Sequence, residues 1–256
     1  MKRLLNGAIG STPMEMLPLL FRFYIKSLAK LFFLGLAIIV LFINSCRGEK
    51  GFQGQSDKDF SCSPPLIRVK VVKAVDGDTV ILEGGERLRY AGINTLELHT
   101  ESGKPEPFAK EAYLRNKELT EGKSFCLEIA LREKDRYGRL LGELYFPNGT
   151  TVSEILVSEG LALVCYYEGS GKFFEKYLEV QRRAIERRVG LFSYLDKPYS
   201  QREFIGNKNS RRFHHPACLE SKEIKKRVIF RNLEEALKAG YCPSRNCINL
   251  IFPSEN

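Results

Sequence analysis

Between Ile67 and Ser193 the chain is written in short runs of alternating apolar and polar positions, later joined by runs with helical spacing. Residues 67–75, IRVKVVKAV, and 78–83, DTVILE, have strand composition, and EGGERLRY places Gly84 and Gly85 at a tight hairpin before a third strand. That strand alternates from Arg89 to Ile93 and then gives way to Asn94, Thr95, Leu96 and Glu97, three of which carry side-chain oxygen. Residues 107–120, PFAKEAYLRNKELT, combine a proline start with the spacing of a helix. SFCLEIAL (124–131) and RLLGELYF (139–146) predict strands, PNGT a turn, and TVSEILVSEG (151–160) a short helix capped by Thr151 and closed by Gly160. KFFEKYLEVQRRAIERRVG (172–190) predicts a long amphipathic helix, with Phe174, Leu178 and Ile185 on one face and basic residues in its last turns. Five or six short strands with inserted helices predict a mainly β fold with α, a small closed barrel rather than alternating β-α units.

The flanks read differently. Residues 31–45, LFFLGLAIIVLFINS, form an apolar run after Arg22, Lys26 and Lys30. The run is short for a membrane span, which takes about 20 residues, and suits the apolar region of an export signal. INSC at 43–46 resembles the bacterial lipoprotein signal, which makes Cys46 the lipidated residue and the protein an exported, envelope-attached one. An uncleaved N-terminal anchor or secretion is the alternative. Residues 47–66 are polar and glycine-rich, a flexible tether with a reach of roughly 20–25 Å. The expected organisation is therefore signal (1–46), tether (47–66), barrel domain (67–193) and a small basic module (194–256). At 43% apolar residues the whole fits one ordinary domain with appendages. The net charge of +9 admits a polyanion or an anionic lipid surface as partner, although solubility alone would account for it. No protein partner is predicted.

Three polar stretches interrupt the strands. VDGDTV (75–80) puts Asp76 and Asp78 in a tight turn, Arg89 is followed by NTLE, and DRYGR (135–139) forms another turn. Each alone is an ordinary turn or salt-bridged strand. In this order and at these separations, together with GLALVCYY and the final GLFS, they resemble the staphylococcal nuclease (thermonuclease) family over about Val71 to Ser193. The resemblance implies a five-stranded OB-fold-type barrel with about three helices and a calcium-dependent nuclease that cuts DNA and RNA with little sequence preference. Single strands would be favoured, and products would carry 3′-phosphates. It implies Glu97 as general base, Arg89 and Arg139 as the cations on the phosphate, and Asp78, Asn94 and the Thr95 carbonyl as calcium ligands. Tyr137 and Tyr166 match nucleotide-contacting positions; rim packing is the plainer reading of Tyr166. Asn94 stands where the best-known members carry aspartate, and Leu96 where they carry proline, so weaker calcium binding is expected because ligand charge tunes affinity. The alternative function is a non-catalytic barrel that binds single-stranded nucleic acid, an idea opposed by the retention of a base with two arginines.

Residues 194–256 carry twelve basic and seven acidic side chains and are too few to build a core without a staple. His214, Cys218, Cys242 and Cys247 offer a zinc site on two arms; a disulfide among the three cysteines is the competing reading. The stretch resembles a small module that follows thermonuclease domains in some bacteria and, more distantly, the zinc-binding domain of the adaptive-response DNA alkylation repair protein, with Ser244 standing at the expected cysteine. Its basic residues, among them Arg211, Arg212, Lys225, Lys226 and Arg227, form a candidate nucleic-acid surface or a solvated face. Cys126 and Cys165 read as buried small apolar residues, and an exported chain permits them a disulfide.

Overall fold

The computed structural model describes residues 61–101, 103–167 and 171–254. Cys46, the apolar run 31–45 and residues 47–60 of the expected tether lie outside them. In chain order the elements are β1 (Ile67–Ala74), β2 (Thr79–Leu82), β3 (Arg87–Tyr90), β4 (Ile93–Asn94), α1 (Ala109–Thr120), β5 (Ser124–Lys134), β6 (Leu140–Tyr145), α2 (Val152–Ser158), β7 (Leu163–Val164) and α3 (Gly171–Glu186). There follow β8 (Phe204–Asn207), β9 (Arg212–His214), β10 (Arg227–Phe230), α4 (Leu233–Lys238), β11 (Cys242–Pro243) and α5 (Ile248–Ile251).

Five strands close into a barrel in the order β1-β2-β3-β6-β5. Because β1 pairs with both β2 and β5, the barrel keeps no open edge. Alternation along each strand sends Val71, Val80, Leu88, Tyr90, Leu127 and Leu144 inward, all buried. The helices α2 and α3 lie over this core, with Val152, Leu156, Phe173, Phe174 and Tyr177 packed into it. Helix α2 begins as the sequence predicts: the Thr151 hydroxyl accepts from the Glu154 N–H at 3.0 Å while Glu154 accepts from the Thr151 N–H at 2.8 Å.

The departures have local causes. The strand expected to run to Ile93 stops at Tyr90, because Gly92 takes the left-handed conformation (φ +84°) and turns Ile93–Asn94 away to pair with β7. Helix α1 starts after Phe108 (φ 59°), so Pro107 stands outside it, and α3 ends at Glu186, ahead of the left-handed Arg188 (φ 54°).

The C-terminal residues form a four-stranded sheet, β10-β8-β9-β11, with α4 capped by Asn232, whose side chain accepts from the Glu235 N–H at 2.8 Å. This sheet shares a core with the end of the preceding segment: Phe204, Phe213, Leu233 and Leu237 pack with Leu163, Ile185, Leu191 and Phe192. Gln181 ties the two, accepting from the Val164 N–H at 2.7 Å and donating to the Leu237 carbonyl at 2.8 Å.

Three disulfides are present among the described residues: Cys62–Cys126, Cys165–Cys242 and Cys218–Cys247. They correct three expectations. Cys126 and Cys165 are not free apolar residues and do not pair with each other. The tether does not extend to residue 66, because Cys62 is stapled to β5. The proposed zinc set also comes apart: Cys242 is bonded to Cys165, and Cys218 and Cys247 are bonded to each other. Zinc takes thiolates, and a disulfide sulfur is not one, so in this state the residues do not fit the ion. His214, Cys218, Glu220 and Cys247 do lie together, their donor atoms within 4.8 Å of one another.

Candidate active site

The VDGDTV turn is closed by its own side chains. Asp76 accepts from the Asp78 N–H at 3.0 Å, and the Val75 N–H donates to the Thr79 carbonyl at 2.8 Å. Gly77 is required here because a Cβ would lie 2.7 Å from the Thr95 side chain and 2.8 Å from the Ala112 Cβ. The turn thereby sets Asp78, buried, against three partners at once. Its Oδ2 accepts from the Thr95 N–H at 2.8 Å and pairs with Arg89 Nη1 at 3.0 Å. Its Oδ1 accepts from the Thr79 hydroxyl at 3.1 Å.

Strand register delivers the two arginines. In β3, Leu88 and Tyr90 face the core, so Arg87 and Arg89 face outward. β6 runs parallel to β3 with Leu141 opposite Arg89, and alternation puts Arg139 on that same outer face. Arg139 is aimed by the DRYGR turn: Asp135 accepts from the Tyr137 N–H (2.9 Å), from the Arg139 N–H (3.0 Å) and, through its second oxygen, from Arg139 Nε (2.8 Å). Burial opposes the Asp135 charge, but these donors outweigh it and hold the carboxyl below its ordinary range. Arg139 Nη1 reaches the Thr79 hydroxyl at 3.5 Å, and Thr79 bonds to Asp78. A continuous chain of polar contacts therefore runs from Arg139 to Arg89.

Burial likewise opposes the Arg89 charge, and Asp78, Tyr167, Asp76 and Glu97 together outweigh it, so the guanidinium is held firmly charged. Asp76 shows the opposite balance: burial, then the adjacent Asp78 charge, push its carboxyl up to about 7. Asn94 Oδ1 accepts from Arg89 Nη2 at 3.0 Å, and its amide donates to the Thr95 carbonyl at 2.7 Å. The backbone N–H of Glu97 donates to Glu106 at 2.6 Å, while the Glu97 carboxylate, partly exposed, is ion-paired with Arg245 of the C-terminal module.

Asp78, Arg89, Asn94, Thr95, Glu97 and Arg139 all line one cleft of about 790 Å³, and Tyr137 stands exposed on its rim. Tyr166 does not line it: its ring packs edge-on against Phe174 at 5.5 Å. Tyr167 takes that wall instead, its hydroxyl 3.4 Å from Asn94 Oδ1. His214 lies at a separate, smaller depression, and of the cysteines expected to bind zinc only Cys242 reaches the cleft, as part of its wall. Residue reasoning missed Asp135, Tyr167 and Arg245. Asp135 was within reach, as the residue whose carboxylate an Asx turn would place on Arg139.

The donor set is all oxygen: the Asp78 carboxylate, the Asn94 amide oxygen and the Thr95 carbonyl, with Asp76 adjoining. That chemistry fits a hard divalent cation such as calcium.

The family model described as staphylococcal nuclease homologue matches residues 87–194. The chain is 34% identical over 133 residues to the SPbeta prophage-derived endonuclease YokF of Bacillus subtilis, 32% identical over 133 residues to the endonuclease YncB of the same organism, and 31% identical over 127 residues to the thermonuclease of Staphylococcus hyicus. Those alignments cover 50%, 50% and 48% of this chain. They span 45% and 63% of the two Bacillus relatives, less than two thirds of either, and 75% of the thermonuclease. The matched residues 87–194 hold β3 to β7 together with Arg89, Asn94, Thr95, Glu97 and Arg139, and with three quarters of the thermonuclease covered at 31% identity, this chain belongs to the staphylococcal nuclease family.

Proposed function

We propose that the protein is an exported, lipid-anchored nuclease that hydrolyses phosphodiester bonds of DNA and RNA, with little sequence preference and with dependence on calcium. The observation that carries this reading is that Glu97, Arg89 and Arg139, far apart in sequence, line the same cleft. Names of relatives such as endonuclease and thermonuclease point the same way.

In this reading Glu97 takes a proton from the attacking water as its oxygen bonds to phosphorus. The bond from phosphorus to the leaving 5′ oxygen breaks, and a 3′-phosphate remains. Arg89 and Arg139 donate to the phosphoryl oxygens, where negative charge grows, and their fixed positions make that stabilisation large. Asp78 holds Arg89 in place, and Asp135 holds Arg139. Calcium, when held by Asp78, Asn94 and Thr95, supplies further charge neutralisation at the phosphate. Tyr137, with Arg136 over its ring at 4.8 Å and Arg139 at 5.5 Å, offers a stacking face that tolerates any base.

Export has its own support. Disulfides persist in oxidising compartments, and the described residues hold three, Cys62–Cys126, Cys165–Cys242 and Cys218–Cys247. The full chain is expected to cut single-stranded DNA, RNA and, more slowly, duplex DNA with calcium, and to stop on chelation. Binding of all three without cleavage in calcium would replace this reading with that of a non-catalytic binding module.

A further inference from the structure

The C-terminal module places a guanidinium in the cleft. Arg245 pairs with Glu97, and its loop is pinned from several directions. It lies between Cys242, bonded to Cys165, and Cys247, bonded to Cys218. On its two sides, the Ser244 hydroxyl donates to Glu220 at 3.0 Å and the Asn246 amide donates to the other Glu220 oxygen. The backbone is thus fixed while the Arg245 side chain remains 68% exposed and able to change partner.

A second arginine of the module joins it. Cys242 pairs with Arg212 in the β9–β11 ladder, so the same anchored strand pair carries both residues. The Arg212 guanidinium lies over the Tyr167 ring at 4.7 Å, and both side chains line the cleft. Stacking uses the guanidinium face and leaves its in-plane N–H donors available to an anion. Arg89 and Arg139, held by Asp78 and Asp135, are the cations that the nuclease reading assigns to the scissile phosphate.

We propose that Arg212 and Arg245 form a phosphate subsite, added to the cleft by the C-terminal module, for a backbone phosphate other than the scissile one. When that phosphate arrives, Arg245 exchanges Glu97 for it, which frees the base only when a polynucleotide is in place. The inference rests on the nuclease reading and concerns residues outside the segment 87–194 that the family model matches.

The test compares the full chain with R245A, R245K and R212A on a ten-nucleotide DNA strand and on a dinucleotide, which has a single phosphodiester. The expected result is that the preference for the long strand, as the ratio of kcat/KM values, falls about tenfold in R245A and R212A, the size of one charge-assisted contact. R245K falls in between. The salt dependence of log KM for the long strand flattens by about 0.7 per arginine removed. An unchanged ratio and slope, or equal losses on both substrates, would overturn the subsite. If the wild-type chain cleaves neither substrate, the nuclease reading fails instead, and the subsite is then decided by binding. Fluorescence anisotropy of the long strand would show weaker affinity and a flatter salt slope in both alanine variants if it exists, and no change if it does not.

Discussion

Glu143 is a carboxyl buried between β6 and the helices α2 and α3, and replacing it with glutamine isolates its effect on stability. It is fully buried on β6, accepting from the Tyr177 hydroxyl at 2.7 Å, from the Leu144 N–H at 2.9 Å and from the Ser153 N–H at 3.3 Å. Burial is the largest influence on it; these donors offset burial only in part, and the carboxyl is pushed up from 4.5 to about 7. Below pH 4.5 both folded and unfolded chains hold the proton, and the buried neutral carboxyl contributes in full. Between there and about pH 7 the unfolded chain releases its proton while the folded one keeps it, so stability falls as pH rises. The rise from 4.5 to about 7 corresponds to about 3 kcal/mol lost across that window. Glutamine is neutral throughout and keeps an acceptor for the backbone donors, while its amide donates to the Tyr177 oxygen. Tyr177 then turns its own proton to the Thr151 hydroxyl, 3.3 Å away. Urea denaturation of wild type and Glu143→Gln from about pH 4 to 8 cancels the other titrating groups in the difference. The variant should gain about 3 kcal/mol relative to wild type as pH rises. A difference that is flat with pH, or that moves the other way, would refute the reasoning.

Further outcomes follow from single contacts. Asn94→Asp removes the amide that now bonds to the Thr95 carbonyl and adds a charge next to Asp78, so calcium affinity by isothermal titration should rise roughly tenfold; equal affinities would reject the ligand set. Asp135→Asn keeps an acceptor for the turn but loses the ion pair that aims Arg139, so kcat/KM should fall by about tenfold or more while the melting temperature moves little. Replacing Cys218 and Cys247 together with serine opens a loop with a sequence separation of 29 and should cost about 3 to 4 kcal/mol in chemical denaturation by the chain-entropy account.

The parts of the fold that were legible in the sequence are those specified locally. The Thr151 capping box, the Gly84–Gly85 hairpin and the turns at Asp76 and Asp135 are each written within a few neighbouring residues, and the structure forms them as read. Strands long enough to show alternation were placed, and the face they present followed. Tyr166 and Tyr167 were harder, because β7 has only two residues and offers no period by which to decide which of the following side chains faces the cleft. Gly92 was a local sign left unread: a glycine inside a strand pattern admits the left-handed turn (φ +84°) that ends β3 there. Cysteine partners were illegible for another reason. Cys62–Cys126 and Cys165–Cys242 join residues 64 and 77 positions apart, and spacing within the C-terminal module instead favoured a local ligand set. Arg245 lies far from Glu97 in sequence, within a stretch whose cysteines drew the reading toward a metal.

The central claim is that one carboxylate, aimed by the fold at a phosphate held between two arginines, carries out the hydrolysis. Single-turnover cleavage of a labelled oligonucleotide by Glu97→Gln in calcium tests it most directly, with substrate affinity measured in parallel. The account predicts a fall in the cleavage rate of about 100-fold or more, in the range for loss of a general base, with affinity within a few-fold of wild type. A variant that cleaves at the wild-type rate would contradict it.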